Sequence, residues 1–228
     1  LKVVSTLLQE YEDDGLYLQT HISENKKEVE LVNHSYPGNH HYLDVYDSYG
    51  LLTPRTLLGH GIYLSEDELK RISQTGSSIV HCPSSNLFLG SGLLNLQNII
   101  ENDIHLAIGS DVAGGTSFSM LRNLHDAYTI SALNGIPMNP LLAIYLITLG
   151  GARALDLDDR IGNFDVGKEA DFVVIDTSKN ELLSYRLENA HSIEEILFAI
   201  VMLGDEKVIK STCLMGESIW RGENGLSR

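Results

Sequence analysis

Cysteine is nearly absent: Cys82 and Cys213 are the only two in 228 residues. Neither sits in a C-x-x-C pair, so the sequence indicates no thiolate metal site and no disulfide framework. Such usage fits a reducing, cytoplasmic setting. Positive charge is also scarce. Lys and Arg number 16 against 31 Asp and Glu, a formal net charge of −15. A surface of that sign repels phosphate backbones and anionic lipid, which argues against nucleic acid or membrane as the main partner. A small polar or neutral substrate remains compatible, and solubility alone explains the acidity. No apolar run is long enough to cross a bilayer. Leu1–Glu10 lacks the basic start and apolar core of a signal peptide. The chain opens without Met inside an apolar-periodic stretch, as a partial or processed chain would. There is no P-loop, no G-x-G-x-x-G and no G-x-S-x-G elbow, and neither short repeats nor low-complexity segments occur.

What is present is ordinary globular composition, 43% hydrophobic and 21% charged, enough for one large domain with a smaller appendage. Short apolar strands alternate with amphipathic helices. Strands are expected over Leu16–Ile22, Thr56–His60, Ser78–Cys82 and His105–Ser110. Helices are expected over Glu24–Asn33, Ser65–Gln74, Leu93–Asn102 and Phe118–Leu133. Ser65 with Glu68 makes a capping box. This alternation predicts parallel strands covered by helices. A further helix is expected over Leu141–Leu155. Beyond it, Ile161–Lys168 is turn-rich, Asp171–Asp176 a strand, Ser192–Leu203 a helix, and Lys207–Met215 and Glu217–Arg221 two strands around Gly216. Residues 1–158 thus read as an α/β unit and 159–228 as a β-rich segment. Four strand–helix units make half of an eight-stranded barrel. Such a half has open edges, so it pairs with another half, dimerises, or is an open α/β sheet.

The polar residues carry the functional signal. His21, His60, His81 and Asp111 each fall at or just past the C-terminal end of one expected strand, where active sites of parallel α/β folds assemble. Imidazoles and a carboxylate around one centre are the ligand set of a hydrolytic zinc site. Each residue also has a plainer reading. His21-Ile22-Ser23-Glu24 can be a strand end with Ser23 as helix N-cap. His60 between Gly59 and Gly61 can be a tolerated turn histidine, although flanking glycines suit close backbone approach. His81-Cys82-Pro83-Ser84-Ser85-Asn86 can be a β–α turn. Asp111 in Gly109–Gly115 can serve an Asx turn or cap, and its paired glycines can leave room for a flat ligand. Core packing explains one such residue easily and four in succession poorly. The functional reading of Glu24 is a carboxyl that moves protons beside a metal-bound water. His34, His40, His41, His105, His125 and His191 fall on expected helix surfaces, in the polar loop 37–48 or at a strand start.

Four segments, THISENKKEV (Thr20–Val29), GHGIYLSEDEL (Gly59–Leu69), HCPSSNLFLGSG (His81–Gly92) and IGSDVAGG (Ile108–Gly115), resemble guanine deaminases in order and spacing. Gly150–Leu155 and IGNFDVGKEADFVVID (Ile161–Asp176) resemble the segment that follows in that family, so the likeness spans nearly the whole chain. The resemblance implies the C-terminal half (strands 5–8) of a (β/α)8 TIM-type barrel plus the C-terminal part of a small β-sandwich. It implies one Zn²⁺, a homodimer, and hydrolysis of guanine to xanthine and ammonia. By resemblance His21 and Asp111 are zinc ligands. Glu24 is the catalytic proton shuttle, and His60 orients the attacking water or the adduct. His21, Glu24 and Asp111 border the substrate, with His81 and Asn86 in support. The family's His-x-His pair and its upstream T-P-R-F purine-recognition segment are absent here. Two further readings follow: an inactive chain that acts by pairing with another subunit, and a different amidohydrolase, such as a chlorohydrolase or another aminohydrolase.

Overall fold

The computed structural model describes residues 1–11, 15–222 and 225–226. The last positions of the expected 159–228 segment therefore lie outside the described residues. Helix α1 (Lys2–Glu10) precedes strand β1 (Leu18–Ile22), helices α2 (Lys26–Ser35) and α3 (Leu43–Asp47), β2 (Thr56–His60), α4 (Glu66–Thr75) and β3 (Ser78–His81). Next come α5 (Pro83–Leu89), α6 (Leu96–Glu101), β4 (Leu106–Ile108), α7 (Met120–Leu133), α8 (Pro140–Leu146) and α9 (Leu149–Ala154). Strands β1 to β4 form one parallel sheet in sequence order, with Leu18 opposite Thr56, Leu57 opposite Ser78 and Ile79 opposite Leu106. Parallel neighbours need a crossover between them, and the intervening amphipathic helices supply it.

Helix starts follow local chemistry. Ser65 and Glu68 form the expected reciprocal capping box, and α4 ends on Gly76 in the left-handed conformation. Ser23 does not cap α2. Asn25 does, because Glu28 stands three residues on and completes a second box; Ser23 has only Lys26 at that spacing. Ser23 instead adopts φ 48°, and its carbonyl accepts from the Ile62 and Tyr63 amides, both at 3.1 Å.

Two further expectations change. The single helix over Leu141–Leu155 is broken into α8 and α9 at Thr148 (φ −125°, ψ −103°). The Gly150-Gly151 pair weakens the helix, and Gly150 lies so close to β4 that a Cβ there would be 3.2 Å from the Leu106 carbonyl oxygen. The stretch after His81 is not a simple turn but helix α5, entered through Pro83 at its first position, where the missing N–H costs nothing.

The remaining chain forms a second sheet. Strands β5 (Phe172–Ile175), β6 (Ile209–Leu214), β7 (Glu217–Arg221) and β8 (Gly225–Leu226) are antiparallel in that order. The β6–β7 turn places Met215 and Gly216 at φ 50° and 81°, as a type I′ hairpin requires. Helices α10 (Glu181–Leu187) and α11 (Ile193–Leu203) interrupt these strands, so the segment is mixed rather than mostly β.

The main core lies between the parallel sheet and its helices. Ile22, Leu58, Ile79, Leu106 and Ile108 pack there with Leu69, Ile72, Leu124 and Leu146. Among residues of opposite parity on β1 to β3, Gln19 and His21 are exposed and Leu57 and Val80 half-buried, while Gly59 and Ser78 are buried. A smaller core joins Leu183, Ala199, Ile200 and Val208 to Leu121 of α7, so α7 contributes to both. No helix among the described residues is long and apolar enough to cross a membrane.

Candidate functional site

The C-terminal rim of the parallel sheet gathers His21, His60, Glu24 and Asp111. His21 lies opposite Gly59 in the β1–β2 register. A Cβ on Gly59 would sit 3.0 Å from Cδ2 of the His21 ring, so glycine is what lets that imidazole lie against β2. His60 comes two residues after the core residue Leu58, and strict alternation would aim it at the helices. Its backbone is left-handed instead, at φ 70°. That turn brings its ring edge-on to His21, centroids 4.7 Å apart. Asp111 follows β4 and is also left-handed, at φ 46°, a conformation Asp tolerates better than most residues. The tight turn after it is closed by the Gly115 amide donating to the Asp111 carbonyl. A Cβ on Gly115 would meet the Ser110 carbonyl oxygen. Gly115 is therefore required by its own loop.

Three potential ligand atoms, from His21, His60 and Asp111, lie within 4.8 Å of one another. His21 Nε2 is 3.8 Å from Asp111 Oδ1, and His60 Nε2 is 3.8 Å from Asp111 Oδ2 and 3.7 Å from Glu24 Oε2. These gaps exceed hydrogen-bond length. Two atoms bound to one zinc at about 2.0 Å each would sit roughly 3.3 Å apart, close to the observed spacing. His60 gives the sharper test. Its Nδ1 lies 2.8 Å from Asn86 Oδ1. With that oxygen accepting, the ring is the tautomer whose Nε2 presents a lone pair. Nε2 is buried without a hydrogen-bond partner and faces two carboxylates. A lone pair so placed is satisfied by a proton or a shared cation. Two imidazoles and a carboxylate also match the donor preferences of zinc. The residues present therefore fit a metal ion.

Asn86 holds His60 from the buried start of α5. His81 is placed differently. It pairs with Ile108 and lines a small cavity with Ala127, Ile130 and Leu146, between sheet and helices. Burial, with neighbouring His60 acting in the same direction, pushes its imidazole pKa down to about 3, so it is neutral. The metal-like cluster does not include it. Cys82 is no nucleophile, because burial and then the Asp111 charge push its thiol up to about 12. His40 and His41 donate their backbone amides to Asp44, both at 2.9 Å.

Ser91 and Tyr63 belong to the site and were not singled out in the sequence. Ser91 Oγ donates to Glu24 Oε1 at 2.7 Å. Tyr63 Oη donates to the Ser91 carbonyl at 2.8 Å. The Gly-Ser-Gly setting of Ser91 hints at a tight loop. A contact spanning 67 positions has no periodic signature.

Comparison with known proteins agrees with this geometry. The Amidohydrolase family matches residues 2–219. Guanine deaminase of Escherichia coli is 41% identical over 220 residues, covering 96% of this chain and 50% of that protein. The solved structure "E. coli Guanine Deaminase" superposes with a TM-score of 0.93 at 41% identity, over 96% of this chain and 51% of that one. Guanine deaminase from C. acetobutylicum, solved with bound guanine in the active site, gives a TM-score of 0.84 at 28% identity, over 96% and 51% of the two chains. An adenosine deaminase from Xanthomonas campestris with bound zinc gives 0.86 at 26% identity, over 100% and 50%. The chain spans about half the length of the curated relatives it matches. A family match over residues 2–219, with the rim cluster of His21, His60 and Asp111 inside it, means that the chain belongs to the amidohydrolase family.

Proposed function

We propose that this chain supplies the metal-binding and proton-transfer half of a zinc-dependent guanine deaminase, removing the 2-amino group of guanine to give xanthine and ammonia. The observation that carries the reading is the convergence of His21, His60 and Asp111 within 4.8 Å, with Glu24 beside them. Guanine comes from the likeness to guanine deaminases at 41% identity. In this reading the parallel sheet is strands 5–8 of a (β/α)8 barrel. The antiparallel sheet is the C-terminal part of a β-sandwich, with the boundary at 158–159. The complete protein is a cytoplasmic homodimer.

His21 and Asp111 would hold the zinc, which when bound supplies a Lewis acid that lowers the pKa of water towards roughly 7. His60, its Nδ1 pinned by Asn86, turns the Nε2 lone pair towards the attacking water and steadies the hydroxyl added at C2 by accepting its hydrogen bond. Asp111 takes the proton that leaves that water. Glu24 protonates the ring nitrogen as the C2–O bond forms. It then takes the remaining proton of the added oxygen and delivers it to the amine, so that the carbonyl forms, the C2–N bond breaks and ammonia leaves, and the proton held by Asp111 returns to Glu24 and resets it. His81 keeps a neutral, apolar-packed wall behind the site and moves no proton.

Glu24→Gln keeps the side chain's shape and removes its acidity. Zinc content by elemental analysis should be unchanged, while xanthine formation falls about 10²- to 10⁴-fold. Undiminished turnover would remove Glu24 from the chemistry. A substrate panel with ammonia detection separates guanine from other aminopurines and from chlorinated triazines. Zinc bound without any turnover by this chain favours the reading in which it acts by pairing with another subunit.

A further inference from the structure

Glu24 is the most mobile type of side chain in the site, a carboxylate on two methylenes, yet proton delivery requires one oxygen in one place. Its backbone is held first: the Glu24 and Asn25 amides donate to Glu28 Oε2 at 2.7 and 3.3 Å. Its carboxylate is held by another loop. Ser91, 6% exposed, donates Oγ–H to Oε1 at 2.7 Å. That leaves Oε2 turned to His60 Nε2 at 3.7 Å.

The Ser91 loop is itself tied down. Gly90 ends α5 in the left-handed conformation, and the Ser91 amide donates back to the Asn86 carbonyl at 3.0 Å. The Tyr63 hydroxyl donates to the Ser91 carbonyl at 2.8 Å. Gly92, at φ 147°, has no room for a side chain, because a Cβ would lie 2.5 Å from Tyr63 Oη. Tyr63 is anchored in turn to the Glu24 loop through its amide bond to the Ser23 carbonyl at 3.1 Å. The loops after β1, β2 and α5 thus close a ring of hydrogen bonds that ends on one oxygen of Glu24.

We propose that Ser91 is a positioning residue for Glu24: its hydroxyl fixes Oε1 and so assigns Oε2 as the oxygen that carries the proton, with Tyr63 fixing Ser91. This rests on the reading of Glu24 as the proton carrier. Ser91 touches neither substrate nor metal in this scheme and acts only through Glu24. A hydroxyl donor also strengthens the bond to a charged carboxylate relative to a neutral pair.

The test uses the full chain and two kinds of readout. The first needs no turnover. The Glu24 carboxylate stretch, isolated as the infrared difference between the protein and its Glu24→Gln variant, should shift in Ser91→Ala and return in Ser91→Thr, which restores the hydroxyl. Tyr63→Phe should shift it less. A Glu24 band unmoved by Ser91→Ala overturns the proposal, whether or not the chain is active. The second readout is kinetic. Ser91→Ala should lower kcat about tenfold to a hundredfold with KM within about threefold, as misplacement of a catalytic group does. Ser91→Thr should recover most of it. Equal kcat in Ser91→Ala and the parent also overturns the proposal. Absence of guanine turnover by the unaltered chain contradicts the proposed reaction and leaves the infrared result to decide the role of Ser91.

Discussion

The two sheets treat polar groups in opposite ways. Around the parallel sheet, among the described residues, five side-chain atoms are buried without partners: Ser23 Oγ, His60 Nε2, His81 Nδ1, Ser85 Oγ and Asn86 Nδ2. All lie at strand ends, in the β1–α2 loop or in α5, just past the C-terminal ends of the strands. Around the antiparallel sheet no described polar side-chain atom is buried without a partner, and half-buried carboxylates hold the turns. Asp171 accepts from the Met215 amide at 2.8 Å, and Asp205 accepts from the Lys207 amide at 3.0 Å. Orphaned buried groups cost roughly 1–3 kcal/mol each, and a fold keeps a cluster of them where something binds. The apolar side of the comparison runs the other way. No residue of strands β5 to β7 is fully buried, whereas β4 is buried throughout. One region is built around a site, the other around turns and caps.

The largest contrast should come from one substitution on each side. Asp111→Asn keeps a residue that tolerates φ 46° but removes the charge. Zinc measured by elemental analysis should fall severalfold, and xanthine formation by about a thousandfold or more, with the thermal midpoint of the metal-free protein nearly unchanged. Leu183, fully buried in the smaller core, should behave in reverse. Leu183→Ala should cost about 3 kcal/mol in denaturant unfolding and leave the zinc content of the folded protein intact. If Leu183→Ala strips the metal, or Asp111→Asn unfolds the chain, the division of labour fails.

A smaller effect comes from His81. An ordinary imidazole protonates near pH 6.5, whereas buried His81 does so only at about 3. Between those values the unfolded chain binds a proton that the native chain refuses. Acidification through that window therefore destabilises the fold, and above pH 6.5 the contribution is constant. The expected slope is at most about 1.4 kcal/mol per pH unit. Unfolding of metal-free protein at pH 7 and pH 5 measures it, and His81→Leu, of similar volume, should flatten the difference. An unchanged pH dependence in that variant would mean that other groups dominate.

How much of this was legible beforehand follows from the range of each interaction. Strand–helix alternation and the Ser65–Glu68 box are local, and the structure reproduces them. The rim positions of His21, His60 and Asp111 follow from strand ends, so period and spacing reached them. The inward turn of His60 depends on a left-handed backbone that alternation does not foresee. His81 sits at the same kind of strand end but keeps the alternation, and so faces the helices. Asn25 displaced Ser23 as cap because Glu28 chooses between them at a spacing of three. The break at Thr148 depends on how close α9 comes to β4. The Ser91–Glu24 bond depends on two loops meeting across the rim.

The smallest expected effects are equal on the two sides, and their equality is informative. Ser65 caps α4 in the parallel region, and Ser192 caps α11 beside the antiparallel sheet. Replacing either by Ala should cost about 1 kcal/mol. Leu121 of α7 sits in the smaller core with Ala199 and Ile200 of α11, while Leu124 of the same helix sits in the larger one. A helix shared by both cores couples them. Both substitutions should therefore lower one common unfolding midpoint, followed by far-UV and Trp220 signals together. If Ser192→Ala moves only the Trp220 transition, the shared helix does not transmit stability between the cores, and the two sheets would then differ in cooperativity as well as in chemistry.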